Sequence, residues 1–290
     1  MLMKSELILN NDGSVYHLKL HPQDIADTII VVGDPHRVPL ISKYFDRINI
    51  KKSNREFITH TGYIGKKRIS VMSTGIGVDN IDIVFNELDI LSSIDLKLRT
   101  LKETKQTYKI IRLGTTGGLN EKINVDDILF SKYAIGIDGI PHHYKCDVNL
   151  FEQKLSQEFV QKTNWSKKLA QPYAVKSSDF LWNHMYEDNF KKGITLTMNG
   201  FYAPQGRSLR IPLNQPDVLK KCNYILFNNL QVSNIEMETA GLYAFGKMFN
   251  HEVISLSTVL ANRATGLFSS NPSKSIEKLI KFALSKIESL

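Results

Sequence analysis

The sequence has little that would mark a secreted or membrane-bound protein. Only two of its 290 residues are cysteine, Cys146 and Cys222, which are too few for a disulfide framework and match no metal-ligand spacing. No run of about 18 apolar residues is present, so no membrane-spanning segment is expected. The first ten residues are too few and too polar for a secretory signal. These absences predict a cytoplasmic protein in a reducing compartment.

Nucleotide-binding fingerprints and clustered charge are also missing. No GxGxxG opens a helix after a predicted strand and no GxxxxGK[ST] occurs, so we expect neither a nucleotide cofactor nor a metal. The net charge is +8, but the lysines are dispersed and no basic tract is interleaved with aromatic residues. A nucleic-acid partner is therefore not favoured, and a small anionic substrate explains a basic protein equally well.

Short apolar runs alternate with helical patterns along the whole chain. Strands are predicted at 28–32, 68–72, 108–113, 194–198 and 253–260, and helices follow several of them, the clearest at 239–249 and from Pro272 to the end. Residues 94–107 are polar and are expected to form a surface loop or a helix extension. Because no linker or repeat interrupts this alternation, we predict one α/β domain over residues 1–290, with a mixed central sheet flanked by helices. In such sheets ligands bind at the carboxyl ends of strands.

Two glycine-containing segments follow predicted strands and carry an arginine. Gly33 and Arg37 lie where the first strand gives way to a helix, and backbone amides together with the helix dipole favour an anion there. Arg112 precedes Gly-Thr-Thr-Gly-Gly, which we interpret as a turn, and Thr115 adds a hydroxyl. An arginine within an apolar strand needs a buried partner, which is either a phosphate or a nearby carboxylate.

These segments, taken in order from about Val15 to Arg263, resemble the hexameric nucleoside phosphorylases, and among them the uridine phosphorylases. The resemblance implies a phosphate site formed by Gly33, Arg37, Arg55, Arg112 and Thr115. It also implies that Arg55 and His17 reach across from a neighbouring subunit. His17 would then contact the ribose 5′-hydroxyl, and the active protein would be an oligomer, typically a hexamer built as a trimer of dimers.

The same resemblance assigns the nucleoside-binding residues. Glu236, Met237 and Glu238 match the ribose motif, although a glutamate that begins a helix also fits simple capping. The base would lie against Phe201, Gln205, Arg207, Leu260 and Arg263. The amide of Gln205 and the guanidinium of Arg207 complement the acceptor–donor–acceptor edge of uracil. Purine enzymes of this fold place a proton-donating aspartate near Asn262, so an amide at that position favours a pyrimidine.

Two departures from the uridine phosphorylase pattern stand out. The polar stretch at 94–107 is longer, and Val78-Asp79-Asn80 replaces residues that are usually small or proline. Both changes bear on subunit contacts and on a monovalent-cation site that the resemblance places near Glu56. No cofactor is expected, and phosphate would act as a co-substrate.

The resemblance implies phosphorolysis of uridine to uracil and α-D-ribose 1-phosphate, in nucleoside salvage or catabolism. Arg112, Gln205, Arg207, Glu238 and Arg263 would be the catalytic residues, by stabilising the anion, the sugar and the departing base. Two alternatives stay open: a purine phosphorylase or nucleosidase on the same fold, and a non-catalytic protein that binds a ligand or nucleic acid.

Overall fold

The computed structural model describes residues 2–290, which form a mixed sheet with helices on both faces. The helices are α1 (Arg37–Ser42), α2 (Val78–Ser93), α3 (Leu150–Thr163), α4 (Asp179–Met185), α5 (Val218–Cys222), α6 (Thr239–Phe249) and α7 (Pro272–Ile287). The strands are β1 (Thr28–Val32), β2 (Arg47–Asn54), β3 (Phe57–Ile64), β4 (Lys67–Ser73), β5 (Ile94–Asp95), β6 (Thr100–Leu101), β7 (Lys109–Gly118), β8 (Ile128–Gly136), β9 (Tyr173–Lys176), β10 (Lys191–Thr197), β11 (Leu226–Phe227), β12 (Leu230–Glu236) and β13 (Glu252–Asn262).

The central sheet joins two parallel blocks through antiparallel contacts. Its strand order is β11-β12-β10-β8-β13-β7-β1-β4-β3-β2, and β9 pairs with β8. Strands β4, β1, β7 and β13 run parallel to one another, whereas β13 pairs with β8, and β7 with β12, in the antiparallel sense. The predicted α/β class with a mixed sheet is confirmed.

Strand β1 shows why the apolar runs become central strands. All five of its residues are buried, because helices cover both faces of the sheet. Ile29 and Val31 pack into the core beneath α2 and α6, whereas Ile30 and Val32 pack on the opposite side, beneath α1 and α7. Because successive side chains of a strand point to opposite faces of the sheet, β1 contributes residues to both cores.

One of the segment predictions is wrong and another is correct only in part. Gly114-Thr115-Thr116-Gly117-Gly118 is not a turn but the second half of β7, which pairs with β13 over its whole length and with β12 at its end. Residues 94–107 begin with the short hairpin of β5 and β6, which was not predicted, and residues 102–107 form the expected surface loop. Arg99 in that hairpin donates to the carbonyls of Leu2 and Met3, so the insertion is tied to the N-terminal segment.

Other predicted strands and helices are confirmed, but some strands of the structure have too weak a hydrophobic pattern to be predicted. The strands at 28–32, 68–72, 194–198 and 253–260 and the helix at 239–249 lie where the sequence pattern placed them. Strand β2 gave no signal because it lies at the sheet edge, and its residues alternate between exposed and half-buried. Among residues 2–290, no helix has both the length and the apolar character needed to cross a bilayer.

His251 makes the stability of the fold depend on pH. Its ring is buried against Tyr108, and burial lowers its pKa from 6.5 to about 4. The unfolded chain therefore binds a proton at a pH where the native chain does not. The contribution of His251 to the free energy of unfolding is fully present above the pKa of the histidine in the unfolded chain, and it is lost as the pH falls toward 4. The full contribution is about 3 kcal/mol.

We expect His251→Gln to flatten this part of the pH dependence. Urea titrations at pH 7.5 and pH 4.5 measure the free energy of unfolding, and the parent should lose more of it between the two values than the variant. The exposed His143 provides the matched control, because His143→Gln should follow the parent. Equal slopes for all three proteins would contradict the assignment.

Candidate active site

A cleft of about 340 Å³ opens where β1, β7, β12 and β13 meet the 200–207 loop. It collects eleven of the predicted site residues from segments that are far apart in the sequence. They are Gly33, Arg37, Arg112, Thr115, Phe201, Gln205, Arg207, Glu236, Met237, Glu238 and Leu260. Three predicted residues, His17, Arg55 and Arg263, do not line it.

Arg112 lies at the floor of this cleft with only 5% of its surface exposed. Its guanidinium bonds Glu238, lies 3.0 Å from a carboxylate oxygen of Glu236, and donates to the Ser257 hydroxyl at 3.2 Å. Burial opposes this charge, but the two carboxylates outweigh it and raise the pKa of Arg112. Of the two partners that the sequence left open for Arg112, the structure contains the carboxylate.

Gly114 makes room for that guanidinium. A Cβ atom at this position would lie 1.8 Å from one terminal nitrogen of Arg112 and 2.8 Å from the Ser257 hydroxyl. Both distances are far below van der Waals contact, so any side chain here would displace the arginine from the cleft floor. The glycine that looked like a turn residue is thus needed for packing inside the strand.

Glu236 and Glu238 have different surroundings although both are buried. Glu236 accepts from the Thr197 hydroxyl at 2.6 Å and from the amides of Glu238 and Thr239 at 3.0 Å, so it caps the start of α6. Glu238 bonds Arg112 and accepts from the amide of Gly77 at 2.8 Å. Burial raises the pKa of Glu238, and Arg112 opposes this rise. The capping role belongs to Glu236, which leaves Glu238 as the carboxylate better placed for a sugar.

Arg37 approaches the same end of the cleft from α1. It is half-buried and donates to the Leu113 carbonyl at 3.3 Å. Burial, and then the nearby charge of Arg112, lower the pKa of Arg37. Two guanidinium groups that repel each other in a shared cleft are stabilised by an anion between them. Gly33 lines this end, and a Cβ there would come within 3.3 Å of the Gly75 carbonyl.

The other end of the cleft is formed by the 200–207 loop. Gln205 is buried, and its side-chain oxygen accepts from Arg207 at 2.7 Å, which fixes the orientation of the amide. The Arg207 guanidinium lies 3.8 Å from the centre of the Phe201 ring, an attractive cation–π geometry. The loop thus presents an aromatic face beside a donor-rich polar edge.

Arg263 supports this loop from outside the cleft. Its side chain is exposed and donates to the backbone carbonyl of Gln205 at 2.7 Å and to that of Gly206 at 3.5 Å. The sequence resemblance assigns Arg263 to the side of the base. Its side chain holds the backbone that carries Gln205 and does not line the cleft of its own chain.

On the nucleoside and phosphate substrates that the sequence resemblance implies, Arg263→Ala should weaken nucleoside binding more than turnover. Loss of a charge-assisted hydrogen bond to the loop is expected to raise the KM for the nucleoside about tenfold, with the KM for phosphate unchanged. Steady-state kinetics with each substrate varied in turn measure the two constants. Arg210→Ala, an exposed arginine in the same region, is the control. A fall in kcat at constant KM would show that Arg263 instead reaches the departing base.

His17 and Arg55 lie together on a different surface. The His17 ring bonds the Glu87 carboxylate at 2.7 Å, and the Asn54 side chain donates to the His17 carbonyl at 2.8 Å. Arg55 follows in the exposed turn between β2 and β3, with a φ of 53°. Within one chain, neither residue contributes to the cleft.

The cleft has further walls to which sequence reasoning gave no role. They are Asp34, Ile76, Thr116, Gly117, Ile235, Ala261 and Phe268. Phe268 was unpredictable because the chain folds back after Gly266 and pairs Phe268 with Ala261.

Asn262 is buried, and its amide donates to the Asn120 carbonyl at 2.9 Å and accepts from the Ala264 amide at 2.8 Å. Ala261 rather than Asn262 lines the cleft. Among residues 2–290, no cluster of three or more histidine, cysteine or acidic side chains could hold a metal ion.

Comparison with known proteins identifies related folds and sequences. The family model described as "Phosphorylase superfamily" matches residues 27–286. A uridine phosphorylase of Thermococcus kodakarensis is 28% identical over 263 residues, which cover 89% of this chain and 80% of that protein. One from Haemophilus influenzae is 29% identical over 257 residues, 87% of each chain. A Trypanosoma brucei nucleoside phosphorylase, described as showing uridine phosphorylase activity, superposes with a TM-score of 0.89 at 26% identity, over 98% of this chain and 100% of that one.

Proposed function

Because the chain belongs to the phosphorylase superfamily, we propose that it is a pyrimidine nucleoside phosphorylase of the uridine phosphorylase type. It would convert uridine and phosphate into uracil and α-D-ribose 1-phosphate, as a pentosyltransferase. Two relatives named uridine phosphorylase, alike over most of their length, support this substrate. So does the structural neighbour described as showing that activity.

One observation carries the proposal. Arg37 and Arg112 line the same cleft as Gln205 and Arg207, and Glu238, which bonds Arg112, lines it as well. One cleft therefore offers guanidinium groups for an anion, a carboxylate for sugar hydroxyls, and an amide with a second guanidinium for the edge of a base. Thr115 and Gly33 complete the proposed phosphate pocket, and Met237 and Leu260 supply apolar contacts for the sugar and the base.

The arrangement fits a displacement at the anomeric carbon. Phosphate waits on one face of the ribose, held by the guanidinium groups, while Glu238 accepts hydrogen bonds from the sugar hydroxyls. As the glycosidic bond lengthens, negative charge grows on the uracil, and Gln205 and Arg207 stabilise it. Phosphate then bonds to the cationic carbon and gives the α-phosphate from a β-nucleoside. Positioning the two reactants lowers the barrier by at most about 7–11 kcal/mol.

The cleft favours a pyrimidine over a purine for a specific reason. A purine leaving group is helped by a proton donor at its N7, yet Ala261 lines the cleft and the Asn262 amide is bonded to backbone. The anion pocket likewise favours phosphorolysis over hydrolysis, because a hydrolase has no use for converging arginines.

A substrate panel tests the proposal. Uridine, inosine and methylthioadenosine are each incubated with and without phosphate, and the released base is measured by chromatography. We expect uracil release from uridine that depends on phosphate, with ribose 1-phosphate formed in equal amount. Cleavage of uridine without phosphate would make the protein a nucleosidase, and preferred cleavage of inosine would make it a purine enzyme.

We further propose that the protein acts as one domain per chain in a homo-oligomer, as a hexamer of three dimers, in pyrimidine salvage in the cytoplasm. Arg55 lies outside the cleft of its own chain, which suggests that it completes the phosphate site of a neighbouring subunit. His17 would reach the ribose 5′-hydroxyl in the same neighbouring site. The hydrogen bond of the His17 ring with Glu87 and the bond from the Asn54 side chain to the His17 carbonyl hold both residues on one surface, which supports their joint donation.

A further inference from the structure

A second cavity, of about 230 Å³, lies behind the 200–207 loop. Residues of the loop alternate between the two spaces: Gln205 and Arg207 line the cleft, whereas Pro204 and Gly206 line this cavity. The loop is therefore a wall one residue thick. Gly206 has a φ of 70°, and a Cβ there would come within 3.1 Å of the Leu219 side chain on the cavity side.

The cavity is built from side chains that are held in place. The buried Trp165 donates from its indole nitrogen to the Ala170 carbonyl at 3.0 Å, and Phe159 packs against it with 5.3 Å between ring centres. Gln215 ties the opposite wall to the Trp165 segment by donating to the Asn164 carbonyl at 3.0 Å. These contacts hold the walls of the cavity in place, as is usual for small-molecule sites.

The lining restricts what the cavity can bind. No charged side chain lines it within the described part of the chain, and most of its walls are apolar. The exposed Asn199 and Asn214 at its rim each offer an amide with both donor and acceptor groups. An apolar cavity of about 150 Å³ holds benzene, so this larger one accommodates a ring with polar substituents.

We propose that this cavity is a second binding site, specific for a small neutral heteroaromatic ring of nucleobase size. Its apolar walls would cover the ring faces, and the two amides would bond the polar edge. Charged aromatic molecules are excluded, because nothing in the lining pairs with a charge.

Occupancy should be coupled to the proposed active site, and this part of the inference rests on the proposed function. A ring packed against Pro204 and Gly206 reduces the motion of the wall that carries Gln205. A nucleoside then loses less conformational entropy when it orders that wall, which gives positive cooperativity without a large change of structure.

Binding is tested directly by calorimetry and fluorescence, independently of turnover. The chain has two tryptophans, so Trp182→Phe leaves Trp165 as the only indole. Adenine is titrated as the probe, with benzoate as a charged ring and toluene as an apolar one. We expect adenine to bind and change the Trp165 emission, and benzoate to have no effect. Binding of toluene without adenine would reduce the cavity to an apolar void and overturn the proposal.

Variants locate the site. Leu169→Trp fills the cavity from its rim and should weaken adenine binding in calorimetry by about tenfold or more. Leu209→Trp makes the same change at an exposed position outside the cavity and should leave the affinity unchanged. Equal affinities for both variants would place adenine elsewhere, including the cleft, and overturn the proposal.

Kinetics test the coupling. With the cavity occupied by adenine, the KM for uridine should fall by about twofold or more in Leu209→Trp and stay constant in Leu169→Trp, with the KM for phosphate unchanged in both. An unchanged KM for uridine despite adenine binding would overturn the coupling alone. Absence of phosphorolysis would overturn the proposed function and leave the binding result standing.

Discussion

Replacing Arg112 with alanine is expected to lower kcat/KM for uridine phosphorolysis by about a thousandfold or more. The substitution removes one of two guanidinium groups at the proposed phosphate pocket, and it also removes the partner of Glu238. A buried carboxylate without a cation neutralises itself by binding a proton, so the sugar-binding group changes its charge as well. Initial rates at several phosphate concentrations measure the loss, which should not be recovered at saturating phosphate.

Stability provides the second readout of this variant. Breaking a buried ion pair by removing one partner costs about 3–5 kcal/mol, so Arg112→Ala should also unfold at lower urea concentration. Arg112→Lys separates the two effects, because it keeps a positive charge for Glu238 but cannot bond two partners with a planar fork. We expect it to stay folded and to lose about a hundredfold in kcat/KM.

A matched control rules out a general effect of losing an arginine. Arg68 also donates from its guanidinium to two groups, the carbonyls of Ile25 and Gln23, but lies away from the cleft. Arg68→Ala should retain parental kinetics. Parental activity in Arg112→Ala would remove the anion pocket and with it the proposed reaction.

Arg55→Ala is expected to lower phosphorolysis by about a hundredfold, although Arg55 does not line the cleft of its own chain. The physical reason is that a third guanidinium would reach the phosphate only from a neighbouring subunit. The KM for phosphate should rise while unfolding by urea is unaffected, because Arg55 lies in an exposed turn.

Complementation distinguishes a shared site from an indirect effect. When Arg55→Ala and Arg112→Ala chains are co-expressed, each mixed dimer has one site with both defects and one site with none. About a quarter of the parental activity should return if the subunits pair at random. Activity no higher than the sum of the two separate variants would place Arg55 outside the neighbouring site. Co-expression of Arg112→Ala with Glu238→Ala is the control, because both residues line one chain's cleft and no intact site can form.

A site residue was predictable where its immediate neighbours in the sequence already indicate what it binds. Arg112 stands out because a charge within an apolar strand requires a partner, and the Gln205-Gly206-Arg207 segment because its polar groups match one edge of a base. The partner of Arg112 was not predictable, since Glu236 and Glu238 lie more than a hundred residues away. Neither was Phe268, whose place in the cleft depends on how the chain turns after Gly266.

The α/β class, the buried strand β1 and the amphipathic α7 follow from the sequence alone, because the period of apolar residues is local information. The sequence also predicted eleven of the residues that line the cleft. Three features emerge only from the folded chain: 114–118 is a strand, Glu236 caps α6 while Glu238 pairs with Arg112, and Arg263 supports a loop. The reason is physical: hydrogen-bond and charge partners are chosen by proximity in space, and strand pairing brings together residues that no local pattern relates.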